Sequence, residues 1–165
     1  LEGTALSYPV VQGQDNEYYL DRLFDGSYNA SGCLFLDSRC EARFASPNSI
    51  VYGHHMKDGS MFAALDGYKE QEFYEAHPSL LLLTPGGDYE AQVFSAYVAP
   101  TDAAAWRLDF EGEGAYAAWL AEVCAASCIE TGLVPGQAER VLTLSTCSYE
   151  FSDARLVVHC VLREL

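Results

Sequence analysis

The chain has 165 residues and a mass of 18.1 kDa, which is the size of one domain with its own hydrophobic core. Half of the residues are apolar and a fifth are charged, a composition that excludes a disordered chain, a coiled coil and collagen. The formal net charge of −15 leaves few basic side chains for phosphate groups. Neither nucleic acid nor an anionic membrane surface is therefore predicted as a partner.

The first half of the chain predicts short strands with helical turns between them. Apolar runs that are bounded by turn residues indicate strands at residues 4–11, 32–37 and 49–53. Residues 15–24 predict a short helix, because the segment begins with a good N-cap residue and its apolar side chains share one helical face. One or two further short helices are predicted within residues 60–76.

The second half predicts a hairpin, the clearest helix and two final strands. The strands of the hairpin, at 80–84 and 89–98, are joined by the turn sequence Pro-Gly-Gly-Asp. Between residues 114 and 129 the apolar side chains recur at helical spacing and form one continuous stripe. Two more strands follow, at residues 140–147 and 155–162.

These elements predict a mainly β fold, a closed β-barrel of about eight strands. Short helices connect the strands, and one longer helix, at about 114–129, precedes the penultimate strand. No linker or repeat interrupts the chain, so residues 1–165 are expected to form a single domain. Because the sequence opens like a strand entered partway along, we expect a domain excised from a longer protein, without part of its first strand.

The last two strands carry the residues that are best suited to chemistry. Side chains alternate along a strand, so Ser145 and Cys147 share one face while leucines occupy the other. Cys147 ends one strand and Arg155 begins the next, and pairing of the two strands as a hairpin would bring thiol and guanidinium side by side. A nearby cation favours the thiolate, which is the nucleophilic form of cysteine, and a guanidinium can bind an oxyanion.

The acid/base that such a nucleophile needs is best supplied by His54, which follows a predicted strand directly after Gly53. An imidazole titrates near neutral pH and can donate a proton to a leaving amine. Structural alternatives stay open at this point. Cys147 is then a small buried residue at a strand end, and His54 and His55 form a polar turn or half of a metal site.

The spacing of the other histidines and cysteines establishes neither a metal site nor a disulfide. A zinc site needs a second pair of ligands at matching spacing, which the sequence lacks, so no metal and no cofactor are predicted. Pairing of Cys33 with Cys40, or of Cys124 with Cys128, stays open because it depends on Cα distances. His159, within the last strand, is expected to be structural.

Four separated motifs, in the same order along the chain, resemble those of sortases. Thr143-Leu-Ser-Thr-Cys147, followed by Arg155, is similar to the catalytic signature of that family. Tyr52-Gly-His-His-Met-Lys-Asp-Gly-Ser-Met-Phe62 resembles the histidine motif of the class B branch. Tyr8-Pro-Val-Val-Gln12 and Asp15-Asn-Glu-Tyr-Tyr-Leu20 resemble the N-terminal segment of that branch. The resemblance extends from about residue 3 to residue 162.

The resemblance implies a cysteine transpeptidase that cleaves a C-terminal sorting signal after Thr and forms a thioacyl intermediate. Cys147 would be the nucleophile and His54 the acid/base, whereas His55 takes a variable position. Arg155 would orient the substrate and stabilise the oxyanion. The segment before the longer helix, with Trp106, is expected to help shape the substrate groove. Three further residues match positions that line that groove in class B: Asn16, Leu20 and Ser145.

The resemblance also implies partners and a location. The substrates would be surface proteins that bear a sorting signal, and the amine acceptor would be peptidoglycan, its lipid-linked precursor or another protein. The enzyme would be a monomer at the extracellular face of a Gram-positive cell membrane, anchored by an N-terminal segment that this chain lacks. Two other functions stay open: a thiol peptidase that hydrolyses the same signal, and a catalytically silent module that only binds peptide.

Overall fold

A sheet of seven strands dominates the computed structural model, which describes residues 1–147 and 150–165. The strands are β1 Val10–Gln12, β2 Leu34–Leu36, β3 Asn48–Tyr52, β4 Ser79–Leu82, β5 Tyr89–Ala99, β6 Val141–Cys147 and β7 Arg155–Glu164. They lie in the order β1-β2-β3-β6-β7-β5-β4 across the sheet. The β1–β2 and β3–β6 pairs are parallel and the other pairs are antiparallel.

Short helical elements connect these strands in the described part of the chain. The two α-helices are α1, Gln71–Ala76, and α2, Ala115–Ala125. The 3₁₀ segments are Tyr18–Leu20, Ala42–Phe44, Phe62–Lys69 and Ala104–Trp106. None of the helices in the described residues has the length and apolar composition that a bilayer crossing requires.

The sheet curls into a half-barrel, and the mainly β, barrel-like fold predicted from the sequence is confirmed. The described residues form seven strands where about eight were predicted, and the first of them begins only at Val10. Before that residue the chain turns on itself, because the N-terminal amine donates a hydrogen bond to the carbonyl oxygen of Leu6. An apolar cavity of about 610 Å³ lies between the edge strands β1 and β4.

The helix predicted for residues 15–24 is wrong, because only Tyr18–Leu20 adopts a 3₁₀ turn. The predicted N-cap does form, since Asp15 Oδ1 accepts hydrogen bonds from the backbone N–H groups of Glu17 and Tyr18. The helix does not continue because tertiary partners take its carbonyl groups. The carbonyl oxygen of Tyr19 accepts from the N–H of Cys33, and that of Leu20 accepts from a histidine side chain.

The longer helix precedes the penultimate strand as predicted, but α2 ends at Ala125 rather than near residue 129. Beyond that point the backbone forms hydrogen bonds with β5. The N–H of Cys128 donates to the carbonyl oxygen of Ala96, and the N–H of Ala96 donates to Ser127 Oγ. A backbone N–H that bonds to a strand cannot continue an i→i−4 ladder, and this ends the helix early.

The central strands β6 and β7 have two differently packed faces. Towards the inside of the half-barrel lie apolar side chains that include Leu144, Leu156 and Val158. On the opposite face α2 covers the sheet, with Trp119 and Val123 packed against neighbouring valines. Because both strands are paired on both sides, their ends are well supported, and the candidate site lies at one of these ends.

Candidate active site

Cys147 and Arg155 face each other across the hairpin of β6 and β7. Cys147, the last residue of β6, is paired in register with Arg155, the first residue of β7. The sequence predicted this pairing, and the structure confirms it. The turn between them includes residues 148 and 149, which lie outside the described residues. Cys147 is half-buried, whereas Thr146 before it is buried.

His54 reaches the same end of the sheet from β3. Strand β3 runs parallel to β6, and their ladder ends where Tyr52 pairs with Ser145. His54 and Cys147 each follow two residues later in the chain, and both line the same cavity. The Nε2–H group of His54 donates a 2.6 Å hydrogen bond to the carbonyl oxygen of Leu20, which holds the imidazole from the opposite side of the site.

Gly53 allows the chain to turn out of β3 immediately before His54. A Cβ atom at this position would collide with the side chains of Leu34 and Phe62, both of which are buried. The N–H of Gly53 also donates to the carbonyl oxygen of Ser145 in the neighbouring strand. The backbone therefore approaches its neighbours closely at this glycine, which keeps the start of the histidine loop against β6.

A cavity of about 290 Å³ brings together all six residues that the sequence singled out for the site. Four other residues line it as well, of which Phe35, Tyr52 and Thr146 carry side chains that sequence reasoning missed. The sequence held a signal for Tyr52, because that residue opens the histidine motif and lies two positions before His54. The full lining is Asn16, Leu20, Phe35, Tyr52, Gly53, His54, Ser145, Thr146, Cys147 and Arg155.

Ser145 is buried at the wall of this cavity and is bonded to Trp106. The indole Nε1–H of Trp106 donates to Ser145 Oγ over 3.0 Å. Trp106 is the last residue of the 3₁₀ segment that precedes α2, so the segment expected to shape the groove does contact a residue of the cavity. Because Ser145 Oγ accepts this bond, its own O–H group can donate to a ligand in the cavity.

The segment that carries Trp106 is held by a buried line of hydrogen bonds, here called the buried polar chain. Its side chains are Tyr97, His159, Thr143 and Asn48. The Asn48 amide donates to the carbonyl oxygens of Ala105 and Arg107, at 3.3 and 2.9 Å. Thr143 Oγ1 lies 2.6 Å from Asn48 Oδ1 and 2.9 Å from His159 Nδ1, and His159 Nε2 lies 3.2 Å from the Tyr97 hydroxyl.

His159 is structural, as the sequence predicted. Its ring is fully buried among Phe94, Tyr97 and Trp119. Burial lowers the pKa of His159 to about 3, so the imidazole stays neutral at physiological pH. The neutral form matches the hydrogen bonds around it, with Nδ1–H donating to Thr143 and Nε2 accepting from Tyr97.

A buried carboxylate, Asp37, supports the cavity from behind and was not anticipated from the sequence. Arg39 donates to both of its oxygens, over 3.0 and 2.7 Å, and the Tyr52 hydroxyl donates over 3.0 Å. Burial alone would raise the pKa of Asp37, but these bonds and one from Asn16 lower it to about 2. The Asp-x-Arg spacing of residues 37–39 is the one signal in the sequence that could have indicated this pair.

Asn16 is attached to the same support. Its Oδ1 accepts a 2.8 Å hydrogen bond from the N–H of Ser38, and its side chain also bonds to Asp37. Leu20, by contrast, is 41% exposed, which leaves its apolar side chain available at the rim of the cavity. Asn16 and Leu20 thus flank the site in different ways, one as a bonded support and the other as an open apolar surface.

All six cysteines are free thiols, so neither of the pairings that the sequence left open forms in this structure. Cys33, Cys40 and Cys160 are buried, and burial raises the pKa of each thiol. Among residues 1–147 and 150–165 no group of His, Cys, Asp and Glu side chains could hold a metal ion.

Comparison with known proteins points to one family. A family model described as a sortase domain matches residues 1–163. Sortase B of Staphylococcus aureus (strain NCTC 8325 / PS 47) is 39% identical over 160 residues, which is 96% of this chain and 66% of that protein. Sortase B of Listeria monocytogenes serovar 1/2a (strain ATCC BAA-679 / EGD-e) is 33% identical over 157 residues, which is 94% of this chain and 64% of that protein. The chain therefore spans just under two thirds of the length of both relatives.

The fold is shared as well. The solved structure of a Staphylococcus aureus sortase B–substrate complex superimposes with a TM-score of 0.94 at 37% identity. That superposition covers 100% of this chain and 77% of the other. Sequence and structure agree, since the same class of protein appears in both comparisons.

Proposed function

This chain belongs to the sortase family, in its class B branch, and from that premise we propose that it is a cysteine transpeptidase acting on C-terminal sorting signals. One observation carries the proposal. Cys147 and Arg155 are paired across the β6–β7 hairpin, at the wall of a cavity that His54 also lines. A thiol, a fixed cation and an imidazole around one cavity are the groups that acyl transfer through a thioester needs.

Cys147 is the proposed nucleophile. Its thiolate adds to the carbonyl carbon of a threonine in the sorting signal and forms a tetrahedral oxyanion. When the oxyanion collapses, the peptide bond after the threonine breaks, the amine leaves with a proton and a thioester remains on Cys147. An acceptor amine then attacks the thioester carbonyl, loses a proton, forms a new amide bond and releases the thiolate.

His54 is proposed to move the protons in both steps. A carbonyl oxygen can only accept, so the hydrogen bond to Leu20 requires a proton on Nε2. This leaves Nδ1 as the nitrogen that exchanges a proton with the leaving amine and with the acceptor. Leu20 thereby acts as the group that orients the acid/base, which is a role that many nucleophilic sites give to a third residue.

Arg155 is proposed to stabilise the oxyanion and to orient the substrate. One guanidinium N–H donates to the carbonyl oxygen of Ala154 over 3.0 Å, which anchors the head group at the start of β7. A guanidinium has five N–H donors in a planar fork, so others remain for a substrate oxygen.

The substrate groove is proposed to run past Asn16, Leu20 and Ser145, all of which line the cavity. Ser145 would donate its hydroxyl to a peptide carbonyl, because its oxygen already accepts from Trp106. Leu20 would contact an apolar side chain of the signal. Asn16 would act chiefly by shaping the wall, since its amide group is already bonded to Ser38 and Asp37.

The wider setting is proposed from the family. The substrates would be surface proteins with a sorting signal, in agreement with the substrate complex of the related Staphylococcus aureus enzyme. The acceptor would be an amine of peptidoglycan, of its lipid-linked precursor or of another protein, and the enzyme would act on the outer face of the cell membrane.

Intact-mass spectrometry tests the proposal directly. The protein is mixed with a panel of sorting-signal peptides, with and without an added amine. We expect an adduct whose added mass equals the peptide fragment that ends in threonine, bound as an acyl group. This adduct should disappear when the amine is added. The adduct should be absent in Cys147→Ala, and a persistent adduct in that variant would contradict the role of the thiol.

The same assay separates the alternatives. If the product is the free threonine carboxylic acid even when the amine is in excess, the protein is a thiol peptidase. Binding of peptide without any adduct would indicate a silent binding module. Arg155→Lys is expected to slow acylation by about 100-fold, because a point charge does not reproduce a planar fork of donors. Near-normal acylation in Arg155→Lys would reduce Arg155 to a structural role.

A further inference from the structure

The proposed reactive side chains lie in or next to two loops at the cavity. His54 lies in the loop after β3, and Cys147 directly precedes the turn after β6. The ladder between these strands reaches only as far as Tyr52 and Ser145. Contacts that join the two loops beyond the strand ends therefore contribute to the relative position of imidazole and thiol.

A line of ionisable side chains, here called the ion-pair bridge, joins these loops. His55 Nε2 lies 2.6 Å from Asp66 Oδ2. Lys69 Nζ lies 2.9 Å from Asp66 Oδ1 and 2.7 Å from Glu150 Oε1. Asp66 and Lys69 both belong to the 3₁₀ segment Phe62–Lys69. The members of the bridge are His55, Asp66, Lys69 and Glu150.

The ends of the bridge lie next to the reactive residues in the sequence. His55 directly follows His54, and Glu150 comes shortly after Cys147. Lys69 links them, since it contacts the carboxylate that binds His55 and also the carboxylate in the turn after Cys147. Of the two lysines in the chain, only Lys69 forms an ion pair within the described residues.

The charges along the bridge stabilise one another. Burial alone would raise the pKa of Asp66, but hydrogen bonds from Lys69 and His55 lower it below its usual value. Burial alone would lower the pKa of Lys69, but bonds to Glu150 and Asp66 raise it. Both shifts favour the charged forms, so Asp66 and Lys69 are both charged at neutral pH.

We propose that Lys69 and Glu150 are positioning residues, whose ion pair connects the turn after Cys147, through Asp66 and His55, to the loop that carries His54. This inference rests on the proposed function, because it concerns the same thiol and imidazole. Lys69 and Glu150 do not line the cavity in the described part of the chain. They would act on the reaction only through the positions of the two loops.

The expected effect is modest and sensitive to salt. The side chains of the bridge are between 14% and 45% exposed, so solvent screens their attraction. Removal of a partly exposed ion pair is expected to lower the rate of acylation by about three- to five-fold. At about 1 M NaCl the Debye length is only about 3 Å, so wild type and variant should there react at similar rates.

Lys69→Met tests the bridge, because it keeps the length of the side chain and removes the charge. Lys57→Met is the matched control, since Lys57 is exposed, lies in the loop after β3 and forms no ion pair within the described residues. Lys69→Arg should restore the rate, because it restores the cation. Glu150→Gln removes the partner carboxylate, and Lys69→Met/Glu150→Gln completes a double-mutant cycle.

The measurements are kcat and KM of the peptide–amine reaction at low and high salt. We expect Lys69→Met to lower kcat at low salt with little change in KM. In the double variant, the fold-decrease in kcat should be smaller than the product of the fold-decreases in the two single variants. Three outcomes would overturn the proposal: an equal loss in Lys57→Met, fully multiplicative single effects, or a loss that persists in high salt.

A second measurement needs no turnover. The rate at which iodoacetamide alkylates Cys147, measured on the peptide that contains this residue by mass mapping, reports the accessibility and reactivity of the thiol. Mapping is necessary because Cys128 is exposed and would be alkylated as well. If Cys147→Ala remained active, the proposed function would fail, but the alkylation rate would still test the bridge. If alkylation and kcat were both unchanged in Lys69→Met, the bridge would fail and the proposed function would stand.

Discussion

The candidate site is held on two flanks by interactions of different kinds. On one flank the buried polar chain, from Tyr97 to Asn48, fixes the segment that carries Trp106. On the other flank the ion-pair bridge, through Lys69, joins the loop that carries His54 to the turn that follows Cys147. The first uses neutral groups that are nearly or fully buried, and the second uses charges that are partly exposed to water.

The difference determines how each flank responds to change. A buried polar group that loses its partner keeps the full cost of its desolvation, so the polar chain stabilises the fold strongly and tolerates little alteration. Partly exposed charges regain water when their partner is removed, so the ion-pair bridge contributes little to folding. We therefore expect the polar chain to act on stability and the bridge to act mainly on the reaction.

Asn48→Ala should break the buried flank most severely. It removes the amide that binds the carbonyl oxygens of Ala105 and Arg107 and leaves the Thr143 hydroxyl without its acceptor. The free energy of unfolding should fall by about 3 kcal/mol in urea denaturation, given about 1–3 kcal/mol for each buried group that loses its partner. A loss below about 1 kcal/mol would show that water replaces the amide.

The protonation of His159 should make the buried flank sensitive to pH. Its pKa is about 3 in the folded protein, whereas an unfolded chain binds the proton near pH 6.5. The unfolded state therefore gains a proton first as the pH falls, and stability is lost below about pH 6.5. The slope from this group approaches about 1.4 kcal/mol per pH unit between pH 6 and pH 4.

His159→Gln provides the comparison, because glutamine does not titrate and the other histidines are common to both proteins. From denaturation curves at a series of pH values, the free energy of unfolding should depend less steeply on pH in the variant. The difference in slope should correspond to about one proton. Equal slopes would mean that His159 binds a proton in the folded state.

Trp106→Phe should have a smaller effect at the point where the buried flank meets the cavity. It removes the 3.0 Å hydrogen bond to Ser145 and keeps most of the apolar contact. Stability should fall by about 1 kcal/mol, as for one neutral hydrogen bond. Peptide KM should rise more than kcat falls, because the Ser145 hydroxyl is then free to point away from the peptide. A change in kcat alone would contradict this role.

Lys69→Met should have the smallest effect on stability, below about 1 kcal/mol at low salt and less at high salt. The two flanks are best compared by measuring both variants at low and high salt. The loss of stability in Asn48→Ala should be insensitive to salt, and any loss of stability in Lys69→Met should disappear at high salt. A strong salt dependence in Asn48→Ala would remove the distinction between the flanks.

Local sequence determined much of the fold and the centre of the site. The alternation along β6 and β7 identified their two faces, and the short connection between them made a hairpin the simplest pairing. Cys147 and Arg155 could be predicted as neighbours because the hairpin brings the end of one strand beside the start of the next. The turn out of β3 was also visible, since Gly53 precedes His54 directly.

Only the tertiary structure decided the supports around that centre. Asn48 and Thr143 are 95 residues apart in the chain, and Trp106 and Ser145 are 39 apart, so no local pattern indicates that they meet. The prediction of a helix at residues 15–24 was wrong for the same reason. The carbonyl oxygen of Leu20 accepts a hydrogen bond from His54, which is 34 residues away. Hairpins and turns depend on neighbouring residues and can be read from the sequence. Hydrogen bonds and ion pairs between distant segments exist only once the sheet has curled and brought its strand ends together.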